Sequence, residues 1–348
     1  MTMHTASALA SPATAVPRKY VHKAAHSEVL LTSWHRRSVD EYTVTAQWPR
    51  THSFYRPAQG LHDPMLFAET VRQTIPLLSH VAYDVPFGHH LIWEHFRYSL
   101  ALESLRNSTE PAELVLHISC TDIERRRGNL AAMRLQLRAE RDGQHLGTAE
   151  ARFTSHSSTV YRRLRGTYGE LHNALAAARP PADGVLAHLA GRRLPEDVVL
   201  SPTGRSDRWQ LRVDTEHPSL FDHPVDHVPG MLLLEAVRQA AQAARTPFPA
   251  VAVGMKTAFH RYVELDAPSW IQIWPGENRD RLRFAVEQDS AVCTSGEVSL
   301  SAPVEALGLP SPSAQQTSAS TPPGKRRLVP SSEVPTPCGD ECVVFPRG

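Results

Sequence analysis

From residue 28 to residue 301 the hydrophobic pattern of the chain switches between two periods. Glu28–Trp34 and Tyr42–Trp48 alternate apolar and polar positions, carry β-branched and aromatic residues, and predict strands. Pro64–His80 is longer and apolar on most sides, which predicts a buried helix. Strand patterns resume near His90–Leu100, Leu114–Ile123, Met133–Glu140 and His145–His156, and the Asp142-Gly143 step between the last two marks a tight hairpin. The same order then returns. Trp209–Val213 reads as a strand, Gly230–Arg245 as a helix, and Val251–Leu265, Trp270–Trp274, Arg281–Glu287 and Val292–Ser301 as strands.

The recurrence extends to residue identity. Met65-Leu66-Phe67-Ala68-Glu69-Thr70-Val71-Arg72-Gln73 aligns without a gap to Met231-Leu232-Leu233-Leu234-Glu235-Ala236-Val237-Arg238-Gln239, and a turn containing His and Pro precedes each segment. Duplication of one unit accounts for this. An early strand pair, one long apolar helix and a run of antiparallel strands is the order of a hot-dog domain. The expected fold class is therefore α+β, a double hot-dog of two tandem repeats, each an antiparallel sheet wrapped round a central helix. The expected organisation is a disordered leader (1–18), repeat 1 (19–165), a linker (166–190), repeat 2 (191–303) and a disordered Pro/Ser-rich tail (304–348). The end segments hold too little apolar surface to offset their ordering entropy.

Composition narrows the function classes. The hydrophobic share of 41% and charged share of 21% are ordinary for a globular chain, and a net charge of +1 argues against nucleic acid as a partner. No apolar run approaches the roughly 18 residues of a membrane helix, and the N-terminus lacks the apolar stretch of a signal peptide, so a cytoplasmic protein without membrane contact is expected. Cys120 and Cys293 read as small core residues, while Cys338 and Cys342 make neither a zinc site nor a disulfide framework. The densest histidine cluster, His89, His90 and His95, splits between two faces of a strand; neither a metal nor a cofactor is expected. Phosphate loops, dinucleotide fingerprints and nucleophile elbows are absent. The run Arg125-Arg126-Arg127 reads as a solvated strand end.

Candidate chemistry lies on the repeated helix and the turns before it. Glu69, Arg72 and Gln73 fall at i, i+3 and i+4 and share one helix face, as do Glu235, Arg238 and Gln239. A carboxylate on so apolar a helix is either paired or held protonated by its surroundings. His223 and His227 sit directly before the second helix, and His52 occupies the comparable place before the first. Histidine exchanges protons near neutral pH, although each of these side chains can equally cap its own turn.

Two stretches carry a family resemblance. The first runs from Val21-His22-Lys23-Ala24-Ala25 through Thr43–Arg50 to His52-Ser53-Phe54-Tyr55, and the second from Phe221-Asp222-His223-Pro224 to Glu235–Ala241. Both are similar to the repeats of the A-factor biosynthesis family. The turn before the second helix also looks like the His-Phe-Pro-Gly turn of hot-dog dehydratases, which pair a His with a Glu from the opposite hot-dog. The resemblance implies a γ-butyrolactone autoregulator synthase. Such an enzyme moves a β-ketoacyl group from acyl-carrier-protein to the hydroxyl of dihydroxyacetone phosphate. On this reading Glu235 is the base, with a raised pKa, and Glu69 is its partner or competitor. His227 and His223 assist, and Arg238, Arg72, Gln239, Gln73 and His52 hold substrate. Backbone N–H groups after Pro229-Gly230 would receive the oxyanion. A thioester hydrolase or dehydratase, and a non-catalytic acyl-binding regulator, stay open as alternatives.

Overall fold

The computed structural model describes residues 15–303. The leader and tail expected at 1–18 and 304–348 lie outside the described residues, except for residues 15–18, and so do Cys338 and Cys342. Within the described part, Val16 is buried and its N–H donates to Leu31 O at 2.9 Å.

Twelve strands form one antiparallel sheet. They are β1 (Leu31–Ser38), β2 (Glu41–Trp48), β3 (His90–Leu100), β4 (Ala112–Arg126), β5 (Asn129–Arg141), β6 (Gln144–His156), β7 (Leu200–Ser201), β8 (Arg208–Leu211), β9 (Val251–Phe259), β10 (Ser269–Pro275), β11 (Arg281–Gln288) and β12 (Ala291–Ser301). Four helices accompany them: α1 (Pro64–Ala82), α2 (Ser158–Arg165), α3 (Leu171–Ala176) and α4 (Gly230–Arg245). The spatial order is β1-β2-β4-β5-β6-β3-β9-β12-β11-β10-β8-β7. Read outward from the central β3–β9 pair, each half repeats the same sequence of strands. The halves join along that pair, in register from His95 opposite Ala258 to Ser99 opposite Gly254.

Local sequence explains most boundaries. Tyr42, Val44, Ala46 and Trp48 alternate inward on β2, as do Leu114, Leu116, Ile118 and Cys120 on β4. The β5–β6 hairpin turns through Asp142 and Gly143, both at positive φ, the geometry of a two-residue turn that matches strand twist. Pro64 opens α1, and the Asp63 carboxylate caps it by accepting from Met65 N at 2.8 Å. Both α1 and α4 pack on the sheet within one continuous hydrophobic core. Each fully buried large apolar side chain there contributes roughly 1.5–3 kcal/mol.

Three features depart from the periodicity reading. Strand β1 begins at Leu31 and not Glu28, because His26–Glu28 forms a 3-10 turn. Strand β9 ends at Phe259 and not Leu265; Val263 and Leu265 are buried in an irregular segment, where Val263 O accepts from Val228 N. Helix α2 had no expectation: its apolar positions are few, and its start depends on Ser157 Oγ accepting from Val160 N.

The glutamines repeated on the two helices, Gln73 and Gln239, are clamps. Gln73 accepts from Leu30 N at 2.9 Å and donates to Glu28 O at 2.7 Å; Gln239 accepts from Val199 N at 2.9 Å and donates to Asp197 O at 2.8 Å. The arginines make a matching bond, Arg72 to Val21 O and Arg238 to Ala190 O. These bonds align the chain entering each half residue by residue, setting Lys23 beside Arg192 in structural equivalence and Glu28 beside Asp197. Gln239→Ala leaves a buried N–H and a buried C=O without partners, and a loss of about 2–4 kcal/mol of unfolding free energy is expected in urea titration. An effect below about 0.5 kcal/mol would show that the clamp does not hold the helix.

Candidate active site

Both central helices place a carboxylate inside the core: Glu69 is 2% exposed and Glu235 is fully buried. Neither is left alone, since an unpaired buried charge costs several kcal/mol. Glu69 accepts from Arg72 at 2.9–3.0 Å and from Gln73 at 2.9 Å, and Lys23 Nζ lies 3.2 Å away. Glu235 accepts from Arg238 at 2.8–2.9 Å, from Gln239 at 2.6 Å and from Arg192 at 2.9 Å. Burial pushes both carboxyls up, but the adjacent cations outweigh it and hold each at about 2. The expectation of a raised pKa at Glu235 is corrected accordingly. Two guanidiniums stabilise its charged form.

A cavity of about 610 Å³ opens at the seam between the halves. Glu69 and Arg72 from α1 line it, together with His223, His227 and the first residues of α4 from the second half. Glu235, Arg238, Gln239, Gln73 and His52 are not among its lining residues. Both glutamines are consumed by the backbone clamp. His52 Nδ1 accepts from Phe54 N and Tyr55 N, which makes it a turn cap; its structural counterpart is His217, whose Nδ1 accepts from Ser219 N and Leu220 N. The cavity thus brings Glu69 and His227 together across the seam and leaves Glu235 outside.

At the cavity wall, His227 Nδ1 lies 2.6 Å from Asp226 Oδ1. A carboxylate accepts, so Nδ1 carries the hydrogen and Nε2 keeps its lone pair. Asp226 also accepts from the Tyr161 hydroxyl at 2.7 and 2.9 Å. Burial raises the Asp226 carboxyl, yet the hydrogen bonds from His227 and Tyr161 and the charge of Arg165 hold it at about 2. Helix α2 supplies both Tyr161 and Arg165. Arg165 is bonded to Glu264 at 2.5 and 2.7 Å and to Asp226 O at 3.2 Å, and it lies 3.9 Å over the Tyr262 ring. The turn bearing His227 is therefore braced from two sides. His223 is half exposed, with Nδ1 3.4 Å from Asp222 Oδ2.

The start of α4 also faces this space. Gly230 sits close under Trp93 of β3, where an added Cβ would stand 3.2 Å from the indole. Leu91, Trp93, Met231, Leu233 and Phe259 form an apolar wall. His22, another lining residue, is lowered to about 3 by burial and then by the charge of Arg72, so it lines the wall as a neutral ring. Among the described residues no cluster of three or more His, Cys, Asp or Glu side chains is arranged to hold a metal ion.

Residue patterns alone missed Lys23, Arg192, Asp226 and Tyr161. Aligning the segments upstream of each repeated helix would have exposed Lys23 and Arg192. Tyr161 carried no such signal, because nothing in the first half corresponds to its contact.

The model of the A-factor biosynthesis hotdog domain matches residues 4–157 and 174–302. The chain belongs to this family. A 2-oxo-3-(phosphooxy)propyl 3-oxoalkanoate synthase of Streptomyces virginiae is 44% identical over 284 residues, covering 80% of this chain and 95% of that one. A synthase of the same name from Streptomyces coelicolor is 42% identical over 270 residues, covering 77% and 84%. Solved structures include an acyl-ACP thioesterase from Bacteroides thetaiotaomicron (TM-score 0.47, 10% identity, 74% of this chain and 98% of that one). A dehydratase domain of the curacin polyketide synthase gives a TM-score of 0.46 at 10% identity, covering 80% and 99%.

The pairing of Glu235 sets an acid dependence of stability. Its folded-state value of about 2 lies below the ordinary 4.5, so its stabilising contribution is complete above pH 4.5 and lost as pH falls toward 2. Glu235→Gln leaves Arg238 without its carboxylate and Arg192 with Asp63 alone, and a loss of about 3–5 kcal/mol is expected by denaturant unfolding at pH 7. A Glu235→Gln protein as stable as the parent but inactive would restore Glu235 to the chemistry.

Proposed function

We propose that this member of the A-factor biosynthesis hotdog family is a 2-oxo-3-(phosphooxy)propyl 3-oxoalkanoate synthase. It transfers a 3-oxoacyl group from acyl-carrier-protein to the hydroxyl of dihydroxyacetone phosphate, a step in γ-butyrolactone signal biosynthesis. The observation that carries this reading is the seam cavity, where an oriented His–Asp pair meets an apolar wall and a buried lysine–arginine–glutamate cluster. The identity to synthases of that name supports it along most of the chain. The reading places the reaction in the cytoplasm; no helix among the described residues is long and apolar enough to cross a membrane.

The chemistry needs a base for the attacking hydroxyl and a site for a long acyl group. In this proposal His227 Nε2 takes the hydroxyl proton as that oxygen attacks the thioester carbonyl. Asp226 stabilises the imidazolium that forms, and Tyr161 keeps the carboxylate aligned. Collapse of the tetrahedral intermediate breaks the C–S bond, and the departing thiolate takes the proton back from His227. Backbone N–H groups at the start of α4 face the oxyanion. The acyl chain lies along Leu91, Trp93 and Phe259. Glu69 and Arg72 keep a place in the site, with Glu69 as an ion-paired wall and not the base.

Incubation of the purified protein with a 3-oxoacyl carrier protein, with and without dihydroxyacetone phosphate, tests the reading. Thioester consumed only with the triose phosphate, together with a new phosphorylated ester, is the expected result. Consumption without it would indicate a hydrolase, and no consumption a binding protein. His227→Asn should keep its melting temperature and lose about 10²–10⁴-fold in kcat. Turnover at the parental rate would remove His227 from the mechanism.

A further inference from the structure

The two halves hold equivalent cation–carboxylate pairs in different states of filling. In the second half, Arg192 is buried against Glu235, and its Nη1 donates to Phe54 O at 3.0 Å and to Asp63 Oδ2 at 2.8 Å. The guanidinium lies 4.2 Å over the Phe54 ring. The other oxygen of Asp63 caps α1. Arg192 thus sits in a closed pocket, its charge shared by two carboxylates and its flat face covered by an aromatic ring.

At the equivalent site around Glu69, Lys23 of the first half replaces Arg192, and Ser219 and Pro229 of the second half replace Phe54 and Asp63. Every replacement removes atoms, and the last removes a negative charge. Lys23, Ser219 and Pro229 all line the cavity. Lys23 is only 9% exposed, with Nζ 3.2 Å from Glu69 and 3.7 Å from Glu28. At Pro229, α4 starts with no side-chain cap.

We propose that substrate completes the open half: its anionic oxygens occupy, beside Lys23, the place that the Asp63 carboxylate fills beside Arg192. Resting on the synthase reading, that anion is the phosphate of the triose acceptor. The phosphate joins Glu69 and Glu28 as a third anion, and both Lys23 and Arg72, which line the cavity beside Glu69, are the cations that balance it. Ser219 stands in the place of Phe54 with a much smaller side chain, its hydroxyl donating to Glu28 Oε1 at 3.4 Å. His227 lies two residues before Pro229 and lines the same cavity, so a phosphate held at Lys23 presents the triose hydroxyl to the base. Lys23 is thereby a specificity residue for the acceptor, and it acts through binding.

Titration calorimetry with dihydroxyacetone phosphate, unphosphorylated dihydroxyacetone and inorganic phosphate tests this without turnover. Inorganic phosphate should compete with the triose phosphate, and dihydroxyacetone should bind at least about tenfold more weakly, the value of one charge-assisted contact. Lys23→Met should weaken binding of the triose phosphate by about 10–100-fold, while Lys23→Arg, which restores the cation of the closed half, should stay within about threefold. Pro229→Asp should remain folded, gain a carboxylate beside Lys23 and lose binding of both phosphate compounds. Wild-type affinity in Lys23→Met or Pro229→Asp overturns the proposal, as does a Lys23→Met protein with reduced kcat and unchanged affinity. A wild-type protein whose triose phosphate binding depends on Lys23 but which transfers no acyl group to it supports the anion site and sinks the synthase reading.

Discussion

Two buried glutamates organise this molecule. A carboxylate in the centre of an apolar helix is tolerable only where cations and donors reach it, and that requirement reaches well beyond the helix. Arg72 and Arg238 extend from their carboxylates to a backbone carbonyl of the segment entering each half, and Gln73 and Gln239 extend to two further backbone groups. The helix is thus pinned to the sheet edge by polar bonds while its apolar sides fill the core. Satisfying the charge and fixing the entry of the chain are one operation, performed twice.

The duplication is close in its hydrogen bonds and unequal in its filling. In the second half the set is closed, with Arg192 locked between Glu235, Asp63 and the Phe54 ring. Around Lys23 of the first half, the second half supplies only the smaller Ser219 and Pro229, and the counterpart space is part of the seam cavity. Of the two equivalent seam sites, one is therefore closed and the other is open to the cavity, and each is built from both halves. The pocket then takes its histidine from the opposite half, on a turn braced by Tyr161 and Arg165 of α2.

Periodicity made the strands, both central helices and their order legible, because each buried face imposes a repeat of 2 or 3.6 residues on the sequence. It failed where backbone bonds decide the boundary. Glu28 has the pattern of a strand, yet the clamp from Gln73 holds its carbonyl and the strand starts at Leu31. Buried Val263 and Leu265 likewise look like strand residues and lie in an irregular segment pinned to the turn before α4. Glu69, Arg72, His223 and His227 line the cavity; Glu235, Arg238, Gln73, Gln239 and His52 belong to the framework.

By itself the sequence determined the duplicated α+β architecture, the membership of a Glu-x-x-Arg-Gln set on each helix and the presence of histidines before the second one. Those are properties of spacing, and spacing survives in one dimension. Which glutamate lines the seam cavity was decided only by the tertiary structure. That choice depends on residues far away in the chain, Lys23 against Arg192 and Pro229 against Asp63. Whether a buried carboxylate is raised or lowered in pKa depends on how many cations the fold brings within a few ångströms of it. An apolar helix left Glu235 either paired or held protonated; the packed molecule paired it, adding Arg192 to the Arg238 one turn away.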